Sequence, residues 1–224
     1  MDKRILIVTW LIGCFLSGCT GTYVTHYENL KLAFADPVDP SPSLDVVRES
    51  PVDLALVKIG DTVHARIALA YQENGIDKWI SADKAMLAIK DGHIIKTHSF
   101  KNDLIYVSET EMMPLANINK VSSIQWRRNV DWESGEYGHV IESTFQRSNE
   151  NESIEILGKL FTTIVVVERA EYLSPSKHTK WNRSWENTFW FDKDSGELLQ
   201  SSQQTSPFSK RIDMQYISRA VRLM

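Results

Sequence analysis

The stretch of sequence that decides the fold is KLFTTIVVVERAEY, residues Lys159–Tyr172, the longest candidate strand of the chain. Its middle, Ile164–Val167, is apolar at four consecutive positions. A half-solvated strand alternates apolar and polar residues, whereas a strand buried on both faces is a continuous apolar run. The sequence therefore predicts a long strand in a central position of a sheet.

Outward from this strand, the chain alternates further candidate strands with tight-turn signals. Asn74-Gly75 and Asp91-Gly92 favour two-residue hairpins, because both central residues of such a turn take positive φ. Glu133–Glu136 and Asp192–Gly196 separate two more strand pairs, whereas Ser148–Glu152 is predicted as a polar loop. The other predicted strands are Leu54–Lys58, Val63–Tyr71, Asp77–Ser81, Ala85–Lys90, His93–Phe100, Val121–Trp132, Tyr137–Arg147, Asn182–Phe191, Glu197–Gln204 and Arg211–Ser218. Consecutive hairpins imply antiparallel neighbours.

One helix is predicted before the sheet. Between residues 22 and 34, apolar residues recur at spacings of four, three and four, which places them on one helix face: Tyr23, Tyr27, Leu30 and Phe34. Residues 36–43 contain three prolines and form a non-helical connection to the sheet. We therefore predict an all-β, mainly antiparallel fold. It is a curved sheet or half-barrel with an N-terminal helix, and a single β domain spans residues 44–224.

Residues 1–18 have the features of a signal peptide. A charged start precedes the apolar run Ile5–Phe15, whose 11 residues are fewer than the about 20 that a membrane-spanning helix needs. The segment ends in Leu16-Ser17-Gly18-Cys19, which resembles a bacterial lipobox; the alternative is an ordinary secretory signal followed by a chance cysteine. We expect Cys19 to be the lipid-attachment site and the mature N-terminus. Residues 19–43 then form the lipid anchor, the short helix and the Pro-rich connection.

Thr20 bears on the membrane that receives the protein. In the lipoprotein families that this pattern resembles, an Asp directly after the lipidated cysteine retains the protein at the inner membrane, and Thr does not. We therefore expect a lipid-anchored protein at the cell outer membrane, facing the periplasm. Stable anchoring needs two or more acyl chains, because one chain gives only marginal binding.

Composition excludes several kinds of partner and chemistry. The net charge is −4 and no basic stripe is present, which argues against nucleic acid as a partner. Cys14 and Cys19 are the only cysteines, so after processing and lipidation no thiol remains for a disulfide, a metal site or a nucleophile. The six histidines are scattered without metal-ligand spacing. We predict no metal ion and no cofactor.

Motifs of catalysis are missing as well. The chain contains no Gly-x-Ser-x-Gly elbow, no Ser-x-x-Lys in a convincing context and no phosphate-binding Gly-x-x-x-x-Gly-Lys run. Carboxylates are plentiful, but a glycosidase pair is recognised by its separation, which sequence does not give. We predict that the protein is not an enzyme and assign no catalytic residue, with a glycan-modifying enzyme as the less favoured alternative.

Aromatic residues are concentrated near residues 181–191. One set occupies odd positions, shares one face of a strand and is predicted to pack in the core: Trp181, Trp185, Phe189 and Phe191. Trp190 points to the opposite face. Because the neighbours of Trp190 and Trp79 are polar, these two residues are the candidate contacts with a glycan or a protein partner.

Two stretches resemble a known lipoprotein family. They are Trp79–Asp83 running into Leu87–Thr97, and Asn187–Gly196 followed by Ser201–Gln203 and Pro207. The matching patterns are Trp-x-Ser-x-Asp, a Gly-x-(Ile/Val)-x-x-Thr strand, Asn-x-x-Trp with a later Gly, and Ser-x-Gln before Pro. With the lipobox, they resemble the YjbF/GfcB family, which is encoded with exopolysaccharide and group 4 capsule genes.

The resemblance implies a non-catalytic outer-membrane lipoprotein that assists assembly or export of an extracellular or capsular polysaccharide. Its partners would be the membrane, through the lipid anchor, and the polysaccharide or other proteins of the export machinery. The first alternative is a periplasm-facing lipid or lipoprotein carrier, which a deep apolar pocket would favour. Two close carboxylates in a cleft beside an exposed Trp would favour the enzyme, and a flat, filled sheet face would favour the accessory role.

Overall fold

The computed structural model describes residues 41–108, 114–116, 123–133, 135–173 and 184–224. Several predictions fall on residues outside these ranges. They concern the signal peptide, the lipid-attachment site Cys19, the sorting residue Thr20, the helix over residues 22–34 and the orientation of Trp181.

The described residues form two short helices and twelve strands. The helices are α1 (Leu44–Glu49) and α2 (Ile217–Arg222). The strands are β1 (Leu54–Ile59), β2 (Ala65–Glu73), β3 (Ile76–Ser81), β4 (Met86–Lys90), β5 (His93–His98), β6 (Leu104–Val107), β7 (Ser123–Trp132), β8 (Glu136–Ile156), β9 (Lys159–Tyr172), β10 (Ser184–Asp192), β11 (Leu198–Gln203) and β12 (Ile212–Gln215).

All these strands belong to one antiparallel sheet, in the order β5-β4-β3-β2-β1-β12-β11-β10-β9-β8-β7-β6. The two outermost strands of this order, β5 and β6, lie beside each other, and the Leu104 amide donates to Thr97 Oγ1 at 2.9 Å. The sheet therefore curves until it nearly closes on itself. The prediction of an all-β, antiparallel, curved sheet is confirmed. The helix described before the sheet is α1, whereas the helix predicted over residues 22–34 lies outside the described residues.

The long strand β9 has the interior position that its apolar run predicts. It pairs with β8 on one side and with β10 on the other. Val165 and Val166 are 2% and 0% exposed. Val166 belongs to the inner core, by which we mean the apolar cluster enclosed by the curved sheet. The described odd-numbered aromatics of β10 are buried there too, which confirms their role in the core: Trp185, Phe189 and Phe191.

A second apolar cluster, the outer core, lies on the opposite face of the sheet beneath the helices. In β1, Ala55 and Val57 belong to the inner core, whereas Leu54 and Leu56 belong to the outer core. The amide of Leu54 donates to Ser218 Oγ at 2.8 Å, which joins β1 to α2. Helix α2 adds three buried apolar residues: Ile217, Ala220 and Val221. β1 is apolar on both faces because each face meets a core.

Four elements differ from the sequence prediction, and the first is helix α1 (Leu44–Glu49), which was not predicted. Ser148–Glu152, predicted as a loop, is part of β8, whose register against β9 shifts after Arg147. Such a bulge accommodates extra residues while pairing continues on both sides, so an exposed polar segment stays in the strand. The short strand Leu104–Val107 was not predicted. The strand predicted over Arg211–Ser218 ends at Gln215, because the following apolar residues are spaced for a helix.

The two ends of the curved sheet carry different connections. At the hairpin end, Asn74 and Gly75 have φ values of 53° and 74°, and Asp91 and Gly92 have values of 47° and 87°. Both tight turns therefore form as their sequences predict. The opposite end, which we call the loop end, carries the longer connections 99–103 and 204–211.

Candidate functional site

A group of polar and charged side chains lies inside the curved sheet. Its centre is Glu168 on β9, whose side chain has no exposed surface. Glu168 Oε2 accepts hydrogen bonds from Asn187 Nδ2 at 2.7 Å and from His93 Nε2 at 2.9 Å. Its Oε1 accepts hydrogen bonds from Arg128 Nη2 at 2.9 Å and from Ser143 Oγ at 2.5 Å. We call these five residues the buried ion cluster.

The buried ion cluster joins five strands. His93 begins β5, Arg128 lies on β7, Ser143 on β8 and Asn187 on β10, where it is directly opposite Glu168 in the register. Each donor therefore reaches the carboxylate only when its strand has the correct place and register. The cluster fixes one side of the enclosed sheet to the other.

Aromatic rings surround the charges of the cluster. The Arg128 guanidinium carbon lies 4.0 Å from the ring centroid of Trp126, in a cation–π contact. The His93 ring meets Trp126 edge-on, with centroids 5.1 Å apart, and lies 6.1 Å from the ring of Phe189. These rings keep water from the ion pair and strengthen its electrostatic attraction.

Burial and neighbouring charges act in opposite directions on the ionisation of Glu168. Burial raises the pKa of this carboxyl, but the charges of Arg128 and His93 and the hydrogen bonds from His93 and Ser143 outweigh it. The pKa of Glu168 is therefore held well below its ordinary value. Burial lowers the pKa of Arg128, and the charge of Glu168 opposes that change. Glu168 is ionised at neutral pH.

Both nitrogens of the His93 ring lie within hydrogen-bond distance of oxygen atoms. Its Nδ1 lies 3.0 Å from the carbonyl oxygen of Ile94, and its Nε2 faces the carboxylate of Glu168. These two contacts fix the orientation of the ring within the cluster.

The buried ion cluster is arranged for structure. Both carboxylate oxygens of Glu168 already accept hydrogen bonds from protein donors, whereas a catalytic acid must reach the reacting group directly or through one water. Sequence reasoning missed this cluster. Glu168 has the same parity as Val166, and Arg128 has the same parity as Trp126, so both charges could be placed on inward faces. The identity of their partners depends on strand order, which no local pattern gives.

Trp79, one of the two predicted contact residues, lies in the interior. It is 1% exposed and meets Tyr216 edge-on, with ring centroids 5.7 Å apart. A glycan contact requires an exposed ring, so the prediction for Trp79 is wrong. The prediction used the polar neighbour Lys78 as a sign of exposure. Adjacent residues of a strand point to opposite faces, so a polar neighbour instead indicates that the Trp79 ring points inward.

Trp190, the other predicted contact residue, lies on the outer face of β10. It is partly exposed and packs against the outer core. Its Nε1 donates to Glu152 Oε2 on β8 at 2.8 Å. The structure thus places the two predicted residues on opposite faces of the sheet and does not bring them together. The contact of Trp190 with a glycan or protein partner remains a prediction.

A cavity of about 580 Å³ opens at the loop end of the sheet. Residues of the two connections 99–103 and 204–211 line it as two walls, and Ile59 and the buried Ile212 also belong to the lining. Each wall contributes an aromatic ring and a lysine. They are Phe100 and Lys101 in the first wall and Phe208 and Lys210 in the second. Sequence reasoning did not select this site. The available signal was an aromatic residue followed closely by a lysine in each of two polar loops.

The described residues lack two other kinds of site. Within those ranges, no group of three or more His, Cys, Asp or Glu side chains is placed to hold a metal ion. The described helices are also too short or too polar to cross a membrane.

The fold of this protein is shared with a lipoprotein of known structure. The structure superposes on the crystal structure of the hypothetical lipoprotein YmcC from Escherichia coli K12 with a TM-score of 0.71 and 23% identity. The match covers 90% of this chain and 97% of that chain. At this identity the likeness shows that the two proteins share a fold.

Sequence comparison then gives the family. The family model described as "Group 4 capsule polysaccharide lipoprotein gfcB, YjbF" matches residues 27–217, and the chain belongs to this family of lipoproteins. It is 24% identical over 217 residues to the uncharacterized lipoprotein GfcB of Escherichia coli K12, covering 96% of this chain and 98% of GfcB. It is 23% identical over 163 residues to the uncharacterized lipoprotein YjbF of the same strain, covering 71% of this chain and 72% of YjbF. The resemblance seen in the sequence motifs is confirmed.

Proposed function

We propose that this protein is an outer-membrane lipoprotein that assists assembly or export of an extracellular or capsular polysaccharide and performs no chemistry on it. The observation that carries the proposal is the match of residues 27–217 to a family described by its capsule polysaccharide lipoproteins. Its proposed partners are the membrane, through the lipid anchor, and the polysaccharide or other proteins of the export machinery.

The proposed attachment rests on the N-terminal sequence. Cys19 ends the lipobox-like segment and is the sole cysteine left after residues 1–18 are removed. Thr20 follows it and supports transfer to the outer membrane, with the β domain in the periplasm. Replacement Cys19→Ala should abolish incorporation of radiolabelled palmitate. Replacement Thr20→Asp should move the protein from outer-membrane to inner-membrane fractions of a sucrose gradient.

The placement of the carboxylates supports a non-catalytic role. Glu168 is occupied within the buried ion cluster. In the β10–β11 turn, Asp192 Oδ2 accepts hydrogen bonds from the amide and the hydroxyl of Ser195, each at 2.8 Å. Asp83 accepts a hydrogen bond from the Ser81 hydroxyl in another turn. Hydrogen bonds within the fold therefore account for these three acids.

The packed interior supports the accessory role over the carrier. The inner face of the sheet is filled by large side chains and by the buried ion cluster, and Trp132, Phe145 and Phe189 are each at most 1% exposed. A carrier needs a deep apolar space for its lipid, whereas this face resembles an ordinary packed core.

The decisive experiment measures surface and secreted polysaccharide per cell in a strain that lacks the gene. The wild-type gene should restore output, and Cys19→Ala should fail to do so. Asp83→Asn, Asp192→Asn and Asp194→Asn should restore output close to the wild-type level, whereas loss of a catalytic acid lowers rate by about 10²–10⁴-fold. One carboxylate variant that is stable, correctly localised and inactive would overturn the non-catalytic proposal. Unchanged output after deletion of the gene would overturn the role in polysaccharide production.

A further inference from the structure

The cavity at the loop end has the size and the position of a binding site. Its volume of about 580 Å³ lies within the range of about 300–1,000 Å³ that is usual for small-molecule pockets. It opens between two connections of the sheet, so that a segment of a long chain can enter from solvent. The lining residues that bear on recognition are Phe100, Lys101, Asn102, Thr205, Phe208 and Lys210.

The first wall, residues 99–103, is held in place by one buried carboxylate. Asp103 is 8% exposed and accepts hydrogen bonds from Thr97 Oγ1 at 2.7 Å, from the amide of Ser99 at 2.9 Å and from the amide of Phe100 at 3.1 Å. These bonds fix the backbone from which Phe100 and Lys101 project. The ring of Phe100 also packs against the inner core.

The second wall, residues 204–211, is held by a serine-rich turn. Ser209 Oγ accepts hydrogen bonds from the amides of Thr205 at 3.0 Å and Ser206 at 3.1 Å. Gln204 Nε2 donates to the Ser209 carbonyl oxygen at 2.8 Å. This turn supports Phe208, which is 65% exposed although it is apolar. Both walls are thus ordered before a ligand arrives, which lowers the entropic cost of binding.

The charge of the cavity selects the kind of ligand. Lys101 and Lys210 are exposed, and within the described part of the chain neither forms an ion pair. The stem of Lys210 lies against Gly60, where an added Cβ would be 3.1 Å from Lys210 Cδ. Glu133 is the carboxylate among the described lining residues, so cations outnumber anions there in a chain of net charge −4. The cavity therefore favours an anion.

We propose that this cavity binds an acidic sugar residue of a polysaccharide, with its carboxylate between Lys101 and Lys210 and its ring against Phe208. Aromatic faces pack on the apolar side of sugar rings, and Thr205 adds a hydroxyl group to the lining that can bond to sugar hydroxyls. Lysine binds an anion as a point charge, which suits a single carboxylate on a flexible chain. This inference rests on the proposed function and adds the class of saccharide and its site.

Calorimetry on the full mature lipoprotein in detergent tests the inference. The probes are tetragalacturonate, a hyaluronan tetrasaccharide, and the methyl ester of tetragalacturonate, which keeps the sugar and removes the charge. At least one acidic probe should bind, and the methyl ester should bind at least tenfold more weakly. The double variant Lys101→Gln/Lys210→Gln should weaken binding of the acidic probe at least tenfold, and Phe208→Ser should weaken it as well. Lys193→Gln, which removes an exposed lysine at the hairpin end, is the matched control and should bind as wild type.

Several results would overturn the inference. They are failure of both acidic probes to bind, equal binding of the ester, and wild-type affinity in the double-lysine variant. Equal affinity for dextran sulfate would show a generic polyanion surface and would also overturn it. If deletion of the gene lowers polysaccharide output while no acidic probe binds, only the acidic-sugar site is wrong. If the probes bind as expected while deletion leaves output unchanged, the proposed function is wrong and the binding site remains.

Discussion

The inner and outer faces of this sheet are packed by different means. The inner face carries large aromatic residues and the buried ion cluster, whose five residues come from five strands. The outer core is apolar and is covered by α2, α1 and the end of the β8–β9 hairpin. Apolar surfaces tolerate approximate packing, whereas an ion cluster is stable only when each donor meets its acceptor. The inner face therefore specifies which strands meet, and the outer face adds stability through buried area.

The largest expected effect comes from removing the centre of the buried ion cluster. Glu168→Ala leaves Arg128 buried without its counter-ion and removes the carboxylate that faces His93, so the free energy of unfolding should fall by about 3–5 kcal/mol. Urea denaturation of the mature protein, followed by tryptophan fluorescence, measures this change. Glu168→Gln keeps the shape of the side chain but removes its charge. Its free energy of unfolding should lie between those of the wild type and Glu168→Ala. A loss below about 1 kcal/mol for Glu168→Ala would show that the cluster is not coupled to folding.

Acid should remove part of the same stabilisation without any mutation. The folded-state pKa of Glu168 is lowered, so its contribution is complete above the unfolded-state pKa of 4.5 and is lost as the pH falls below that value. The difference in unfolding free energy between wild type and Glu168→Gln should therefore shrink between about pH 5 and pH 3. Denaturant titrations at each pH measure this difference. A constant difference across that range would contradict an ionised Glu168 in the folded protein.

The contrast between the faces also explains which features the sequence could predict. Alternation and turn chemistry are local, so β9, the Asn74-Gly75 turn and the antiparallel class were predictable. The same alternation, applied to Trp79, would have placed its ring inward. The buried ion cluster was not predictable, because the pairing of His93 with Glu168 joins residues 75 apart in sequence and depends on the strand order. The continuation of β8 through Ser148–Glu152 depends on pairing with β9, which outweighs the polar composition of that segment.

A smaller effect is expected at Trp190, on the outer face. Its ring is partly exposed, so Trp190→Ala should lower the free energy of unfolding by about 1–2 kcal/mol, less than full burial of a large side chain would give. Glu152→Gln is the matched variant, because it retains an oxygen that can accept the hydrogen bond from the indole. If Trp190 contacts a glycan or protein partner, Trp190→Ala should lower polysaccharide output by more than Glu152→Gln does. Normal output from a stable Trp190→Ala protein would remove Trp190 from the candidate contacts.

The smallest effect is expected at an exposed ion pair of the outer face. This pair tests whether charge contributes less to stability on the outer face than on the inner face. Arg222 Nη1 and Nη2 donate to Asp53 Oδ1 and Oδ2 at 2.6 and 3.1 Å, and the side chains are 55% and 28% exposed. Water screens this pair although its geometry is bidentate, so a double-mutant cycle with Arg222→Gln and Asp53→Asn should give a coupling of about 0.2–1 kcal/mol. Added salt should weaken the coupling further, whereas the sealed cluster around Glu168 should respond little. A coupling as large as the loss expected for Glu168→Ala would mean that α2 is held against the sheet mainly by charge and not by buried apolar area.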